Sequence, residues 1–187
     1  HNTGRFIPNW AMWFVLQLHE YRHRSNDQKL VDALEPRVMG LLDYFEPFKN
    51  KDGLLEKLDG WIFIEWSAAN RFVQDVNYPT NMLFAATLDA ASELYGRKEL
   101  REEAAAIRET IREQSFNGNF FVDHATRNDR DELVISNNTT EVCQYFAFYF
   151  DVATPESHPD LWTTLSKEFG PARKKSNPYP EVHFANS

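Results

Sequence analysis

Residues 79–114 read PTNMLFAATLDAASELYGRKELREEAAAIRETIREQ and join two helical patterns of opposite character. The first pattern begins at Pro79, carries a wide apolar face at Met82–Ala86 and ends before Gly96, a residue suited to a helix C-cap. The second has a single narrow apolar stripe among charged residues, formed by Leu100, Ala104, Ile107 and Ile111. A wide apolar face is typical of a buried helix, and a narrow stripe of a half-exposed one. The stretch therefore predicts a hairpin of one inner and one outer helix.

The same pairing is predicted at two other places in the chain. Residues 8–24 contain a run of seven apolar residues and predict a helix that is buried all round. Residues 27–45 predict its half-exposed partner, which Pro36 should kink or split. The third pair is predicted at 142–150 and 159–169. Strand signals are limited to three short segments, at 61–66, 120–122 and 133–135. The fold class predicted is therefore all-α, with about three helix hairpins.

Composition excludes several classes of protein. The 187 residues are 42% hydrophobic and 26% charged, which excludes a disordered or fibrous chain. The net charge of -8 argues against a nucleic-acid partner, which would require a basic face, and no apolar run approaches a membrane span. The single cysteine, Cys143, cannot form an internal disulfide. Because neither end has the features of a natural terminus, residues 1–187 are interpreted as one segment truncated at both ends.

Polar residues and tryptophans gather immediately before each predicted buried helix. The clusters are IPNW at 7–10, EWSAANRFVQDVNYPTN at 65–81, SNNTTEVCQ at 136–144 and YPEVHFANS at 179–187. If the inner helices run parallel, their starts lie at one end of the molecule and line a common cavity with carboxylates, amides and indoles. Sugars are bound in such cavities, because indoles stack on the apolar face of a pyranose while polar groups bind its hydroxyls.

Four stretches carry a resemblance to a known family: IPNWAMWFV at 7–15, GWIFIEWS at 60–67, QDVNYPTNMLFAATLDAASELYG at 74–96 and TTEVCQYFAF at 139–148. They resemble the catalytic domain of bacterial α-L-rhamnosidases of glycoside hydrolase family 78, in the six-hairpin glycosidase superfamily. The resemblance implies part of an (α/α)6 toroid, about three of its six hairpins. It also implies inverting hydrolysis of terminal α-L-rhamnosyl or similar bonds without a cofactor, in a cytoplasmic, periplasmic or secreted bacterial protein.

The same resemblance implies that the catalytic pair lies elsewhere. The family's motifs for the general acid and the general base have no match in this sequence, so both are expected outside the segment, in the remaining half of the same domain. Where the family often has Gly-Asp-Trp, this chain has Ile64-Glu65-Trp66, which retains a carboxylate on a longer side chain. What carries over is therefore part of the sugar pocket.

Eight residues are the candidates for binding the carbohydrate: Glu65, Trp66, Trp13, Trp10, Asp75, Asn77, Glu141 and Gln144. Glu65 and Trp66 are predicted to form one wall, with Glu65 binding sugar hydroxyls and Trp66 opening onto the same hollow as Trp13. Each candidate also has a purely structural interpretation. Glu65 could cap a helix near Ser67, Trp10 is favoured as a core residue, and Asp75 with Asn77 could simply build a turn. Asn138 and Glu141 stand at capping-box spacing.

A competing motif is HEYRH at 19–23, which matches the zinc-protease pattern HExxH. Its two histidines would ligate zinc and Glu20 would polarise a water molecule. The motif lies at the far end of its helix, so His19 and His23 are expected near the opposite rim from the sugar site. No carboxylate from another helix is expected there, and the sequence predicts no metal site. The other alternative is a non-catalytic helical-hairpin module that binds proteins, which would form an open helix stack.

Overall fold

The computed structural model describes residues 6–168, without the side chain of Glu168. Within them are six α-helices, α1 Pro8–Ser25, α2 Gln28–Phe45, α3 Tyr78–Tyr95, α4 Lys98–Ser115, α5 Glu141–Tyr149 and α6 Pro159–Glu168. Three short strands, β1 Val76–Asn77, β2 His124–Arg127 and β3 Leu133–Ile135, form one antiparallel sheet in the order β1-β2-β3. The predicted end of α6 at residue 169 and the polar cluster at 179–187 lie outside the described residues.

Helix α3 has the start and end signals that its sequence predicts. Asn77 caps α3 by accepting a hydrogen bond from the Thr80 backbone N–H at 2.8 Å, and Gly96 ends this helix with a φ of 69°. Pro36 lies inside α2 without splitting it. The predicted strand at 61–66 is wrong, because these residues form an irregular loop held by side chains, whereas the strand at 133–135 is confirmed as β3.

Hydrogen bonds between helices show that α1 and α3 run parallel. The Asn9 side-chain amide donates to the Thr80 hydroxyl at 3.0 Å near the two helix starts, and His19 Nε2 lies 2.7 Å from Glu93 Oε2 near the two ends. Helix α4 returns antiparallel to α3, since Arg108 pairs with Asp89 at 2.6 Å. The starts of α1 and α3 therefore lie at one end of the molecule, which we call the N-terminal rim.

Helix α5 also begins at this rim. The Asp123 carboxylate accepts a hydrogen bond from the Thr140 backbone N–H at the start of α5, and the Asp123 carbonyl accepts one from Tyr78 N–H at the start of α3. At the other end of α5, the Phe150 carbonyl accepts from Arg108 of α4 at 2.8 Å. The predicted arrangement of parallel inner helices α1, α3 and α5 is thus present.

Burial differs sharply among the three inner helices. Thirteen of the eighteen residues of α3 are buried, so this helix forms the centre of the core. Helix α1 is buried on one side only, and Trp10 and Phe14 on its other side are exposed. The prediction that α1 is buried all round is therefore wrong for the described part of the chain, because α1 packs mainly against α2 and α3 and leaves Trp10 and Phe14 exposed. Among the described helices, none combines the length and apolar character that crossing a membrane requires.

Candidate functional site

The loop between α2 and α3 crosses the N-terminal rim and is held there by backbone groups. Trp61 N–H donates to the Phe6 carbonyl at 2.9 Å, and Phe63 N–H donates to the Asn9 side-chain oxygen at 3.1 Å. Asn9 is buried and also donates to Thr80, so this one side chain ties the loop to both inner helices. Gly60 is required at the crossing, because it has a φ of 101° and a Cβ there would collide with the Phe6 carbonyl.

Three tryptophans surround one buried phenylalanine at this rim. The Phe63 ring centroid lies 5.0 Å from that of Trp66, 5.4 Å from that of Trp61 and 6.1 Å from that of Trp10, all in edge-on arrangements. Phe63 is buried, whereas Trp10, Trp61 and Trp66 expose 56%, 42% and 66% of their surface. We call these four residues the aromatic rim cluster. The cluster exposes three indole rings to solvent around a buried phenylalanine.

Glu65 stands between this cluster and the next turn of the loop. Its Oε1 accepts a hydrogen bond from the Trp66 backbone N–H at 2.7 Å, and its carbonyl accepts from Ser67 N–H and from the Asn70 side chain. The short helix that follows, Ala68–Arg71, is capped by Ser67 itself, whose hydroxyl accepts from Ala69 N–H. The alternative interpretation of Glu65 as the cap of a helix near Ser67 is therefore wrong.

The structure brings Trp10 and not Trp13 into ring contact with the cluster. The Trp13 ring lies 5.6 Å from Phe150 and 6.3 Å from Tyr149, at the end of α5. No ring contact among residues 6–168 joins Trp13 to Trp66, and the hollow that these two tryptophans are predicted to share stays a prediction. The interpretation of Trp10 as a core residue is wrong, because more than half of its surface is exposed.

Asp75 and Asn77 lie at the rim but are engaged with the backbone. Asp75 has a φ of 46° and its Oδ2 accepts a hydrogen bond from Arg127 N–H at 2.6 Å. Asn77 is buried, caps α3 and donates to the Phe72 carbonyl at 2.8 Å. Both line a cavity of about 10 Å³, which is too small for a sugar. Their contacts agree with the turn-building interpretation.

Glu141 and Gln144 are buried at the start of α5. Gln144 accepts a hydrogen bond from Phe121 N–H at 2.9 Å and donates to the Phe121 and Thr140 carbonyls at 2.8 and 3.0 Å. Glu141 accepts from the Tyr145 hydroxyl. The helix is capped by Thr140, which accepts from Cys143 N–H at 3.2 Å, so the capping box predicted with Asn138 is wrong. The contacts of Gln144 are those of a residue that holds a loop.

Two carboxylates at the rim, the buried Asp123 and the partly buried Glu56, were not singled out from the sequence. Asp123 has no exposed surface, and its two oxygens accept from the Thr140 N–H and hydroxyl at 2.8 and 2.6 Å. Burial raises the pKa of Asp123 to about 6. Glu56 forms a two-pronged pair with Arg127, both distances being 2.8 Å, and this pair lowers the pKa of Glu56. No spacing pattern marks either residue, because their partners lie far away in the sequence.

The fold has counterparts among solved structures. The chain superposes on a GH78 family rhamnosidase of Bacillus sp. GL1 with a TM-score of 0.75 and 20% identity, over 90% of this chain and 18% of that one. It superposes on a rhamnosidase from Klebsiella oxytoca, solved with rhamnose bound, with a TM-score of 0.68 and 17% identity, over 87% of this chain and 31% of that one. The chain has the fold of a segment of a rhamnosidase. No protein-family model and no curated protein matches it.

These similarities settle the predictions on fold. The predicted resemblance to rhamnosidases is confirmed, and so is the mostly helical class, with one small three-stranded sheet among residues 6–168. The chain spans less than a third of the length of either solved rhamnosidase that it resembles. At this level of identity the likeness concerns the fold alone.

In this rhamnosidase-like fold, the HEYRH motif lies near the helix ends opposite to the N-terminal rim, as predicted. The expectation that no other helix supplies a carboxylate there is wrong, because Glu93 of α3 lies 2.7 Å from His19 and His23 Nε2 lies 3.1 Å from His19 Nε2. Because α1 and α3 are parallel and both begin at the N-terminal rim, residues near their C-terminal ends become neighbours. Glu20 points elsewhere and pairs with Arg24 at 2.5 Å.

Proposed function

We propose that this chain is part of the catalytic domain of a glycoside hydrolase that removes terminal α-L-rhamnosyl or similar residues. The aromatic rim cluster, together with Glu65, would form one wall of its sugar site. The observation that carries the proposal is the set of three exposed tryptophans on a fixed loop at the N-terminal rim. The fold supports it, because the chain resembles two rhamnosidases, one of them solved with rhamnose bound.

The chemistry of the cluster suits a sugar. Each exposed indole is a large apolar surface whose contact with water is unfavourable, and stacking against the C–H face of a pyranose relieves that cost. Glu65 adds a carboxylate beside Trp66, and its Oε2 accepts no hydrogen bond from residues 6–168. This oxygen can accept hydrogen bonds from sugar hydroxyls. Charge-assisted hydrogen bonds of this kind are stronger than neutral ones and fix the orientation of a sugar ring.

The catalytic step would require groups from the remaining half of the domain. An inverting glycosidase uses one carboxylic acid to protonate the leaving oxygen and one carboxylate to activate water, about 6.5–9.5 Å apart. Glu65 adjoins Trp66, and the role proposed for it is binding. The exposed apolar residues Phe14 and Tyr21, on the same stripe of α1, would pack against the remaining half.

In the complete enzyme, which contains both halves of the domain, replacing Trp66 with alanine is expected to lower kcat/KM for 4-nitrophenyl α-L-rhamnoside at least about fivefold, or about 1 kcal/mol of transition-state stabilisation. The indole supplies a stacking face that the methyl group cannot replace. The matched control is Trp162→Ala, which removes another exposed indole, on α6, in contact with Phe148. Equal losses in the two variants, or a wild type that neither cleaves the rhamnoside nor binds L-rhamnose, would refute the proposal.

Replacing Glu65 with glutamine is expected to weaken L-rhamnose binding about threefold to tenfold, because a charged acceptor becomes a neutral amide. Glutamine retains the side-chain oxygen that accepts from Trp66 N–H, so the loop should keep its conformation. Binding can be measured by quenching of tryptophan fluorescence. An unchanged dissociation constant would show that Glu65 contacts no sugar hydroxyl.

The peptidase alternative is not favoured by the position of Glu20. A zinc peptidase needs this carboxylate next to the metal-bound water. In this structure Glu20 is exposed and pairs with Arg24 one helical turn away. The position of Glu20 therefore gives no support to a hydrolytic role for the histidines of the motif.

A further inference from the structure

We propose that His19, His23 and Glu93 form a zinc site that clamps α1 to α3 at the end of the molecule opposite to the N-terminal rim. One donor atom from each residue, a ring nitrogen of each histidine and a carboxylate oxygen of Glu93, can be chosen so that all three lie within 4.8 Å of one another. Two of these distances are short, at 2.7 Å between His19 and Glu93 and 3.1 Å between the histidines.

The spacing of the donor atoms suits a tetrahedral ion. Zinc binds imidazole nitrogens and carboxylate oxygens at about 2.0–2.2 Å, which places neighbouring ligand atoms about 3.3–3.5 Å apart. His19 and His23 are four residues apart and therefore project from one face of α1, and Glu93 reaches the same point from α3. Small rotations about side-chain bonds would bring all three donors to bonding distance.

Proton counting favours a cation at this point. If His19 Nε2 carries a proton, that proton can bond Glu93, and the His23 nitrogen then meets no free lone pair on His19. If His19 Nε2 carries none, its lone pair faces the Glu93 oxygen at 2.7 Å, which is repulsive. Neutral tautomers thus satisfy one of the two short contacts at a time. A bound Zn²⁺ would accept all three lone pairs together.

The surroundings support the same ligand. Arg101 donates to Glu93 Oε1 at 3.0 Å, which leaves Oε2 directed at His19, and such outer contacts orient metal ligands. The motif and Glu93 lie near the C-terminal ends of two parallel helices, where the helix dipoles favour positive charge. His19 and Glu93 also line an open cavity of about 610 Å³, through which an ion and its water ligand can enter.

The site is assigned to stabilisation. Glu20 pairs with Arg24, so the base that peptide hydrolysis would need is engaged elsewhere. A zinc ion shared by α1 and α3 would instead restrict their separation at the end where no loop joins them. Metal binding to the folded state raises its stability in proportion to the logarithm of the free metal concentration.

The test is a titration of chelator-treated protein with zinc chloride, followed by calorimetry and thermal unfolding. We expect one Zn²⁺ per chain, and a rise in Tm of about 5–10 °C when free zinc exceeds the Kd by a hundredfold. His19→Ala and Glu93→Gln should each weaken binding at least about tenfold, in line with the loss of one of three ligands. Glu20→Gln, in the same motif, is the control and should bind zinc like the wild type.

The outcomes separate a built site from incidental binding. Absence of zinc binding at about 100 μM metal would overturn the proposal, as would binding that survives both ligand variants. Glutamine is close in shape to glutamate, so Glu93→Gln still tests the site if His19→Ala disturbs folding. Circular dichroism measures whether each variant retains its helical structure. Because the readouts are metal affinity and Tm, they do not depend on the proposed glycosidase activity.

Discussion

Replacing Asp123 with alanine is expected to lower the free energy of unfolding by about 2–3 kcal/mol at neutral pH. The Asp123 carboxylate is fully buried and accepts from both the N–H and the hydroxyl of Thr140, the residue that caps α5. Alanine would leave two buried donors without an acceptor. Each such group costs about 1–3 kcal/mol, and relief of the buried charge offsets part of the sum.

The pH dependence of this loss has a definite sign. Burial raises the pKa of Asp123 from 3.8 to about 6, so between these values the folded protein holds a proton that the unfolded chain has released. The contribution of Asp123 to stability is therefore full below about pH 4 and declines as the pH rises through 6. The destabilisation caused by Asp123→Ala should be larger at pH 5.5 than at pH 7.5, by about 1 kcal/mol.

Urea denaturation of both proteins at the two pH values measures the effect. Asp129→Ala is the control, since it removes the same group from an exposed loop and should change stability by less than about 0.5 kcal/mol. A loss for Asp123→Ala that shrinks towards low pH would contradict the raised pKa. A loss no larger than that of the control would contradict the role of Asp123 at the rim.

Replacing Asn81 with alanine is expected to cost about 2–4 kcal/mol of unfolding free energy. Asn81 is fully buried in α3, accepts from Leu55 N–H at 2.7 Å and donates to the Leu55 carbonyl at 3.0 Å. Leu55 lies in the loop between α2 and α3, and the Asn81 side chain pairs with its N–H and carbonyl in place of another backbone segment. Alanine would leave both backbone groups of Leu55 buried and unpaired.

The matched control is Thr87→Val, also in α3. Thr87 is buried, but its hydroxyl donates only to the Leu83 carbonyl one turn earlier, so valine should cost less than about 1 kcal/mol. Both variants can be compared by thermal unfolding with a tryptophan fluorescence readout. Because the loop carries Trp61 and Trp66, Asn81→Ala should also weaken rhamnose binding. Similar Tm values for the two variants would show that the loop does not depend on Asn81.

Local patterns predicted the helices well because the signals that make them are themselves local. Asn77, Pro79 and Gly96 mark the start and end of α3 by backbone chemistry that depends on adjacent residues alone. The alternation of wide and narrow apolar faces identified inner and outer helices, since it reports how much of each surface is covered. The burial of α1 was overestimated because an apolar run does not show whether another element covers each side of the helix.

Site residues were harder to assign, because polar and aromatic side chains at a helix start serve either capping or binding. Trp10 and Trp13 have the same local environment in the sequence and differ only in which neighbour their face of the helix meets. Asn77 and Gln144 turned out to complete buried backbone hydrogen bonds, and the partners of Gln144 at Phe121 come from a distant loop. Only packing distinguishes these outcomes.

The sequence by itself determined the helical hairpins, their inner and outer order and the resemblance to rhamnosidases, because these rest on periodicity, capping residues and short motifs. The tertiary structure decided which side chains meet. It placed Trp10 beside Phe63 and Trp66, buried Asp123 under the cap of α5, and set Glu93 against His19. The physical reason is that each of these contacts joins residues from different elements of the fold. The distance between such residues depends on how the elements pack and on their axial offset, which no local pattern encodes.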